Sequence, residues 1–386
     1  NISINRSDKY TTFSADFIFS RHIGDSRFRR HNWIKWLKLI VMNPLEFRKF
    51  SNKVRKRIWY TIPTVYATKT TYYDAFFILA LPLAIANQEE LVFEGTISSE
   101  LLKKTKRIET YYHEIYKKKT VITVKTTKHT KEDTPYVGQC FTLGVDSFYT
   151  LCCYTNKQDP PLRHLLYVDG YDIPFYQKKF LNEIHMNIKK VATRTNTKAI
   201  FVETNLRELT DHIIGWGRYH VSALVAVATF TNMKKVYING ESFEFPDWGL
   251  RFGVDKMYSS SYKQIQFIAH NVLREKKLEQ ILTTSYTDLF LQYVRVCWEN
   301  VGIRHLPYNC SSCQKCIKTQ LSLFTLGVTK TPTFLPLDIE SVEKIHLVEH
   351  VYAEWQELYK KLQQKENVEP ALLTAISEVL KKPMRV

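Results

Sequence analysis

Residues 135–283 predict an α/β fold: an open parallel five-stranded sheet with helices on both faces. Three observations carry this expectation. Five short apolar segments rich in β-branched and aromatic residues recur there, at 137–142, 165–168, 199–203, 236–238 and 265–269. Helix-patterned segments lie between them, at 147–154, 175–192 and 219–231, the last with Val221, Leu224, Val225 and Ala228 on one face. A Gly-Val-Asp-Ser turn, residues 144–147, stands where the first strand hands over to the first helix. Ligands of such sheets bind beyond the carboxyl ends of the strands.

The flanks divide the chain further. Residues 1–134 form a basic N-terminal region without clear strand–helix alternation. Helices are expected at 74–88 and 98–117, the second opening at Ser98 with Glu100 in its first turn, and a short strand at 121–124. Residues 284–330 hold a cysteine cluster, and 331–386 read as C-terminal helices. Within these last two parts the helical patterns fall at 315–326, 339–364 and 370–381.

The chain of 386 residues carries a formal charge of +17 and is rich in Tyr and Phe, so it can bury a sizeable core. Such a charge favours polyanionic partners, although a Lys-rich surface set by genome composition explains it equally well. The stretch 21–57 interleaves Arg and Lys with Trp33 and Trp36, and Trp59 follows it. That region suits RNA, an acidic protein partner or a cover for the sheet, with tRNA not favoured. The most apolar run, 75–86, contains Pro82 and is too short to span a bilayer, so it reads as a core helix. Seven Cys, four of them crowded together, point to metal binding in a reducing, cytoplasmic setting rather than to disulfides.

The turn after the first strand has the makings of an anion site. Backbone N–H groups at a helix start are unsatisfied and the helix dipole favours negative charge. Gly144 allows close approach of a phosphate, while Asp146 and Ser147 suit an N-cap or a contact to metal or phosphate. A plain capped turn is the alternative. The run Thr142, Leu143, Gly144, Val145, Asp146, Ser147 resembles the Ser-Gly-Gly-x-Asp-Ser signature of the PP-loop (N-type) ATP pyrophosphatases. Thr142 keeps the hydroxyl of the first Ser, and Leu143 departs from the first Gly. The resemblance implies an adenine nucleotide alpha-hydrolase-like, Rossmann-like fold and a loop that holds the pyrophosphate of ATP with Mg2+. It also implies transfer of AMP to a substrate oxygen, then displacement of AMP by a nucleophile. Asp146 and Ser147 then become catalytic candidates, and Thr142 through Ser147 with Tyr167, Val168 and Asn205 the nucleotide contacts.

The cysteines are spaced Cys297-x12-Cys310-x2-Cys313-x2-Cys316. Overlapping C-x2-C pairs present three thiolates on a knuckle and the upstream Cys closes a tetrahedron, as structural Zn2+ requires. His305 is an alternative ligand, and an iron–sulfur cluster shares the ligand set. A PP-loop domain followed by this spacing resembles the 7-cyano-7-deazaguanine synthase (QueC) family over roughly residues 135–330. Outside that span the chain carries N- and C-terminal extensions, as QueC-like relatives in bacterial biosynthetic or antiviral gene clusters do. The resemblance implies an ATP-dependent ligase acting on a carboxylate or oxo group, such as that of a 7-deazaguanine derivative, with ammonia or an amine giving an amide or nitrile. A dimer and a protein partner or acidic protein substrate are compatible with it.

Other residues stay open. Asn205 can orient a substrate and Arg207, a further catalytic candidate, can clamp a phosphate or carboxylate; a capped helix start explains both. His220 suits a nucleotide contact or a buried structural role, and Asp169 and Asp172 suit ribose binding or turn capping. Lys276 and Lys277 suit phosphate contacts or a solvated helix face. Cys140, Cys152 or Cys153 would carry sulfur if the chain were a sulfurtransferase, the main alternative reaction; small buried residues are the plain reading. A catalytically altered ATP-binding scaffold is the alternative that Leu143 suggests.

Overall fold

A computed structural model describes residues 1–19, 54–70, 73–117, 120–127, 135–155, 160–211, 213–240, 254–269, 271–298 and 308–384. The predicted parallel strands are all present: β6 (Val137–Cys140), β7 (His164–Asp169), β8 (Lys198–Thr204), β9 (Lys235–Asn239) and β10 (Gln264–Ile268). The sheet is larger than the expected five strands. Among the described residues it has eight, because β1 (Ile2–Arg6), β2 (Tyr10–Phe19) and β3 (Val54–Pro63) add an antiparallel wing. The order is β1-β2-β3-β8-β7-β6-β9-β10, and β3 joins β8 antiparallel through Tyr60↔Thr204 and Thr61↔Glu203. The wing is held by a short ladder and by side chains. Asn205 accepts from the Trp59 N–H at 3.0 Å and donates to the Arg57 carbonyl at 2.9 Å, and Thr204 Oγ1 donates to the Trp59 carbonyl at 2.7 Å.

The strands of the parallel part are apolar on both faces because both are covered. Leu166, Val168, Ile200, Val202, Val236 and Ile238 enter one core with the wing and with helices α1 (Asp74–Asn87), α2 (Ser99–Tyr116) and α6 (Trp216–Phe230). Leu165, Tyr167 and Tyr237 enter the other with α3 (Val145–Tyr154), α4 (Lys178–Arg194), α8 (Arg274–Leu282) and α9 (Thr287–Tyr293). Two short helices, α5 (Leu206–Thr210) and α7 (Asp255–Tyr258), complete this part.

The apolar run with Pro82 is α1, buried along almost its whole length. No helix among the described residues is long and apolar enough to cross a membrane. Beside α1, β4 (Leu91–Ser98) and β5 (Ile122–Thr127) form a separate two-stranded parallel sheet. After the cysteines come α10 (Gln314–Thr325), α11 (Ile339–Glu343), α12 (Glu349–Gln363) and α13 (Pro370–Lys381), which build a third core around Trp355. The expected helix at 339–364 is two helices. Ile345 and Leu347 are both buried across the break, an alternation that an extended link satisfies and a helix does not.

Asp74 fastens this side of the molecule. Its carboxylate accepts from the Ser98 N–H at 2.7 Å, from Ser98 Oγ at 2.6 Å and from the Tyr262 hydroxyl at 3.1 Å, so α1, the start of α2 and the approach to β10 meet on one buried group. Asp74→Ala leaves those donors unsatisfied. We expect a loss of about 1–3 kcal/mol, measured as a lower urea midpoint at an unchanged m-value.

Candidate functional site

The parallel strands run β6, β7, β8 to one side of the starting strand and β9, β10 to the other. The order reverses between β6 and β9, and a crevice opens at such a switch point beyond the carboxyl ends. The Thr142–Ser147 run leaves β6 there and starts α3 with Gly144 as N-cap. Asp146 and Ser147 do not cap the helix as their residue types suggested. Asp146 turns to the crevice, and Ser147 Oγ donates to the Gly144 carbonyl at 2.9 Å.

Lys277 bridges the crevice. Its ammonium, 1% exposed, lies 2.7 Å from Asp146 Oδ1 on the loop and 2.6 Å from the Gly240 carbonyl at the end of β9. Arg274 Nη1 meets Asp146 Oδ2 at 3.2 Å. Asn239 Nδ2 adds a 2.6 Å bond to the Cys140 carbonyl across the same gap. Burial alone would raise the Asp146 carboxyl, but Lys277 and Arg274, with Lys315 beyond them, outweigh it and hold the group below the usual carboxylate range. Lys276, by contrast, is exposed and pairs with Glu279 at 2.6 Å.

Leu143 takes the place where the resembled signature has its first Gly, and it sits at φ 64° with its side chain fully buried. That backbone costs a residue with a Cβ roughly 1–2 kcal/mol, offset by burial among Phe148, Phe290 and their neighbours. The Arg295 N–H donates to the Leu143 carbonyl at 2.9 Å and fixes the turn. Gly144 has ordinary negative φ, and a Cβ built there would meet nothing closer than Thr142 Oγ1 at 3.4 Å. The fold itself therefore does not require glycine at 144.

The four cysteines form a second cluster. Their Sγ atoms all lie within 4.8 Å of one another, and Cys310 and Cys316 are 3.8 Å apart. A tetrahedron with metal–sulfur bonds of about 2.3 Å has edges of about 3.8 Å, so the donor set fits a metal such as zinc. Asn309, fully buried, clasps the two arms of the site: Oδ1 accepts from the N–H groups of Val296 at 2.8 Å and Cys297 at 3.1 Å, and Nδ2 donates to the Val294 carbonyl at 3.0 Å. His305 lies outside the described residues, as do Trp33 and Trp36.

Arg207, proposed from sequence as a clamp, is engaged within the fold. Its Nε and Nη2 hold Asp211 at 2.9 Å and 2.7 Å, and Nη1 donates to the Tyr171 carbonyl at 2.7 Å. Asn205 is occupied by β3. Val168 and Tyr167 project into opposite cores, so only their backbone borders the carboxyl edge. His220 Nδ1 lies 2.8 Å from the Gly217 carbonyl. Cys140 is buried, which pushes its thiol up to about 12, while Cys152 and Cys153 are half-buried on α3. The structure thus gathers the loop, Arg274, Lys277 and Arg295 in one place and leaves Arg207 and Asn205 in the scaffold. Sequence reading passed over Arg295 and Asn309 and left Lys277 undecided. A signal for Lys277 existed, since 274, 277, 278 and 281 share one helix face and Leu278 and Ile281 are its apolar members.

No family model matches the chain, and neither curated proteins nor solved structures give a significant match.

The geometry predicts the effect of changes at Lys277 and at the cysteines. Lys277→Met leaves the Gly240 carbonyl unpaired and Asp146 with Arg274 alone, and should cost about 2 kcal/mol. A depressed carboxyl contributes stability above its unfolded-state value, about 3.9, and loses it as pH falls through the folded-state value. Acid unfolding of Lys277→Met should therefore begin at higher pH than in the wild type, as followed by circular dichroism. At the cysteines, removing metal with a chelator should lower the melting temperature. Cobalt reconstitution should give the visible absorption of a tetrahedral thiolate complex, absent in Cys310→Ser.

Proposed function

We propose that the chain is an ATP-dependent ligase of the PP-loop kind, QueC-like in its chemistry. In this reading the Thr142–Ser147 loop grips pyrophosphate and the cysteine knuckle holds structural zinc. One observation carries the proposal: a helix-start loop at the switch point of a parallel sheet, faced by Arg274 and Lys277. The N–H groups of Val145, Asp146 and Ser147 open α3 toward that point and suit phosphate oxygens. Gly144 supports the same reading, because its missing side chain serves no packing need of the fold.

The chemistry needs little covalent help from the protein. A substrate carboxylate oxygen attacks the α-phosphorus of ATP and pyrophosphate departs with the bonding electrons. An amine or ammonia then attacks the activated carbonyl and AMP leaves. The loop donors and the two cations stabilise the charge that collects on the departing pyrophosphate. Asp146, the one carboxylate on the loop and the partner of Lys277 and Arg274, is the residue that would hold a magnesium ion carried on the triphosphate, which would add positive charge against the departing pyrophosphate. A 7-deazaguanine carboxylate is the acceptor that the family resemblance favours.

For the sulfurtransferase reading, burial pushes the Cys140 thiol up to about 12, which disfavours its thiolate, and Cys152 and Cys153 on α3 are the half-buried candidates. The scaffold reading keeps one specific support, the left-handed and buried Leu143 in the loop.

Incubation of metal-replete protein with magnesium and radiolabelled ATP tests the proposal. AMP and pyrophosphate should form with 7-carboxy-7-deazaguanine and ammonia, and Asp146→Ala should abolish their formation. Turnover only with tRNA and a sulfide donor would favour thiolation. ATP bound but intact in every arm, with partner proteins from the same source added, would favour the scaffold.

A further inference from the structure

A second pair of titratable side chains sits at the carboxyl edge, apart from the loop. Asp169 ends β7, and His185 stands midway along α4, the helix that follows. His185 Nε2 lies 2.8 Å from Asp169 Oδ1. The Asp169 side chain is 5% exposed and that of His185 21% exposed, so the carboxylate is enclosed while the imidazole still reaches solvent. The ring is clamped flat: Phe201 of β8 lies against it with centroids 3.9 Å apart and planes at 32°, and Tyr167 meets it edge-on at 5.9 Å.

The orientation follows from the fold. α4 runs opposite to the parallel strands, so its N-terminus is at their carboxyl edge, and helical side chains lean toward the helix N-terminus. His185 therefore leans toward the ligand side of the sheet. With Nε2 donating to Asp169, the ring is held as the tautomer whose Nδ1 lone pair accepts a proton, the relation by which a carboxylate sets a histidine base. The charged and titratable surroundings are Tyr167 and Asp169 on β7, Glu203 as the ladder partner of Asp169 on β8, and Lys189 one turn along α4, whose ammonium lies over Phe201 at 5.6 Å. Arg295 and Asp172 act electrostatically on Tyr167 at the same place. The Arg295 backbone also holds Leu143, so the surroundings of the pair and the loop share a residue.

We infer that His185, oriented by Asp169, is the proton acceptor for the nucleophile in the second half of the ligase reaction. This inference rests on the ligase reading above. In that step the nitrogen lone pair forms the N–C bond to the adenylated carbonyl carbon. The C–O bond to AMP breaks with its electrons on the phosphate oxygen. The surplus N–H proton passes to His185 Nδ1 and from there to water. Asp169 is a positioning residue, and the adenylation half, in which no nitrogen loses a proton, does not need the pair.

The experiment separates the halves. ATP–pyrophosphate exchange with 7-carboxy-7-deazaguanine reads adenylation, and amide formation with ammonia reads transfer, each followed from pH 5.5 to 9. His185→Gln keeps a donor for Asp169, and Asp169→Asn keeps the shape but frees the tautomer. Exchange should stay within about twofold of wild type in both variants, while amide formation falls by about 100-fold or more. With the concentration of free ammonia held constant across the series, the dependence of the wild-type transfer rate on pH should disappear in His185→Gln. Variants that transfer normally, or that lose exchange and transfer together, would overturn the inference. Wild-type protein without exchange would instead remove the ligase reading and this step with it.

Discussion

A single buried ammonium organises the centre of the molecule. Lys277 reaches from α8 to the loop after β6 and to the end of β9, the two strands between which the chain reverses its order of addition. A cation in that position without a carboxylate beside it would be costly, and Asp146 without cations would be costly too. Each explains the presence of the other. The pairing also accounts for the way α8 packs, since Leu278 and Ile281 enter the core on the face that carries Lys277 inward. Glu275 on the same helix meets Lys361 of α12 at 2.6 Å, so the C-terminal helices brace the helix that supplies the cations.

The cysteine knuckle acts on the same region from the other end. Arg295 lies two residues before Cys297, and its backbone fixes Leu143, while Asn309 ties the backbone at 294–297 to the residue before Cys310. A metal held by the four thiolates would thus stiffen the segment that holds the loop's strained residue in place. Its role would be that of a brace, because all four positions are protein sulfur and none is left open for substrate.

Much of this was legible in the sequence, and the reasons differ by element. The parallel strands announced themselves because burial on both faces makes them short continuous apolar runs. The cysteines announced themselves by spacing alone. The wing did not: β2 and β3 mix Thr, Ser, Asp, Arg and Lys among their apolar residues, and their pairing partners lie far apart in the chain. Asn205 and Arg207 have partners within the fold that their residue types did not reveal. Polar side chains at the carboxyl edge are what a ligand site needs, and here Asn205 docks the antiparallel neighbour β3 while Arg207 holds Asp211 and the Tyr171 carbonyl. The Asp169–His185 pair was half visible, because Asp169 stood out as an edge residue while its partner sits 16 positions later on a helix whose rotation sequence alone does not fix.

Adding an antiparallel wing to a parallel sheet also changes what the molecule shows to its neighbours. Without the wing, β8 would be the last strand on its side of the sheet; β3 joins it at Glu203 and Thr204. With it, the outermost strands are β1 and β10, five residues each against ten for β2 and β3. Short outer strands give an incoming chain little to pair with, and β1 closes on Arg6, whose guanidinium reaches the Thr68 carbonyl at 2.6 Å. The extension thereby covers the carboxyl end of β8, at Glu203 and Thr204, and leaves five-residue strands outermost in the described sheet.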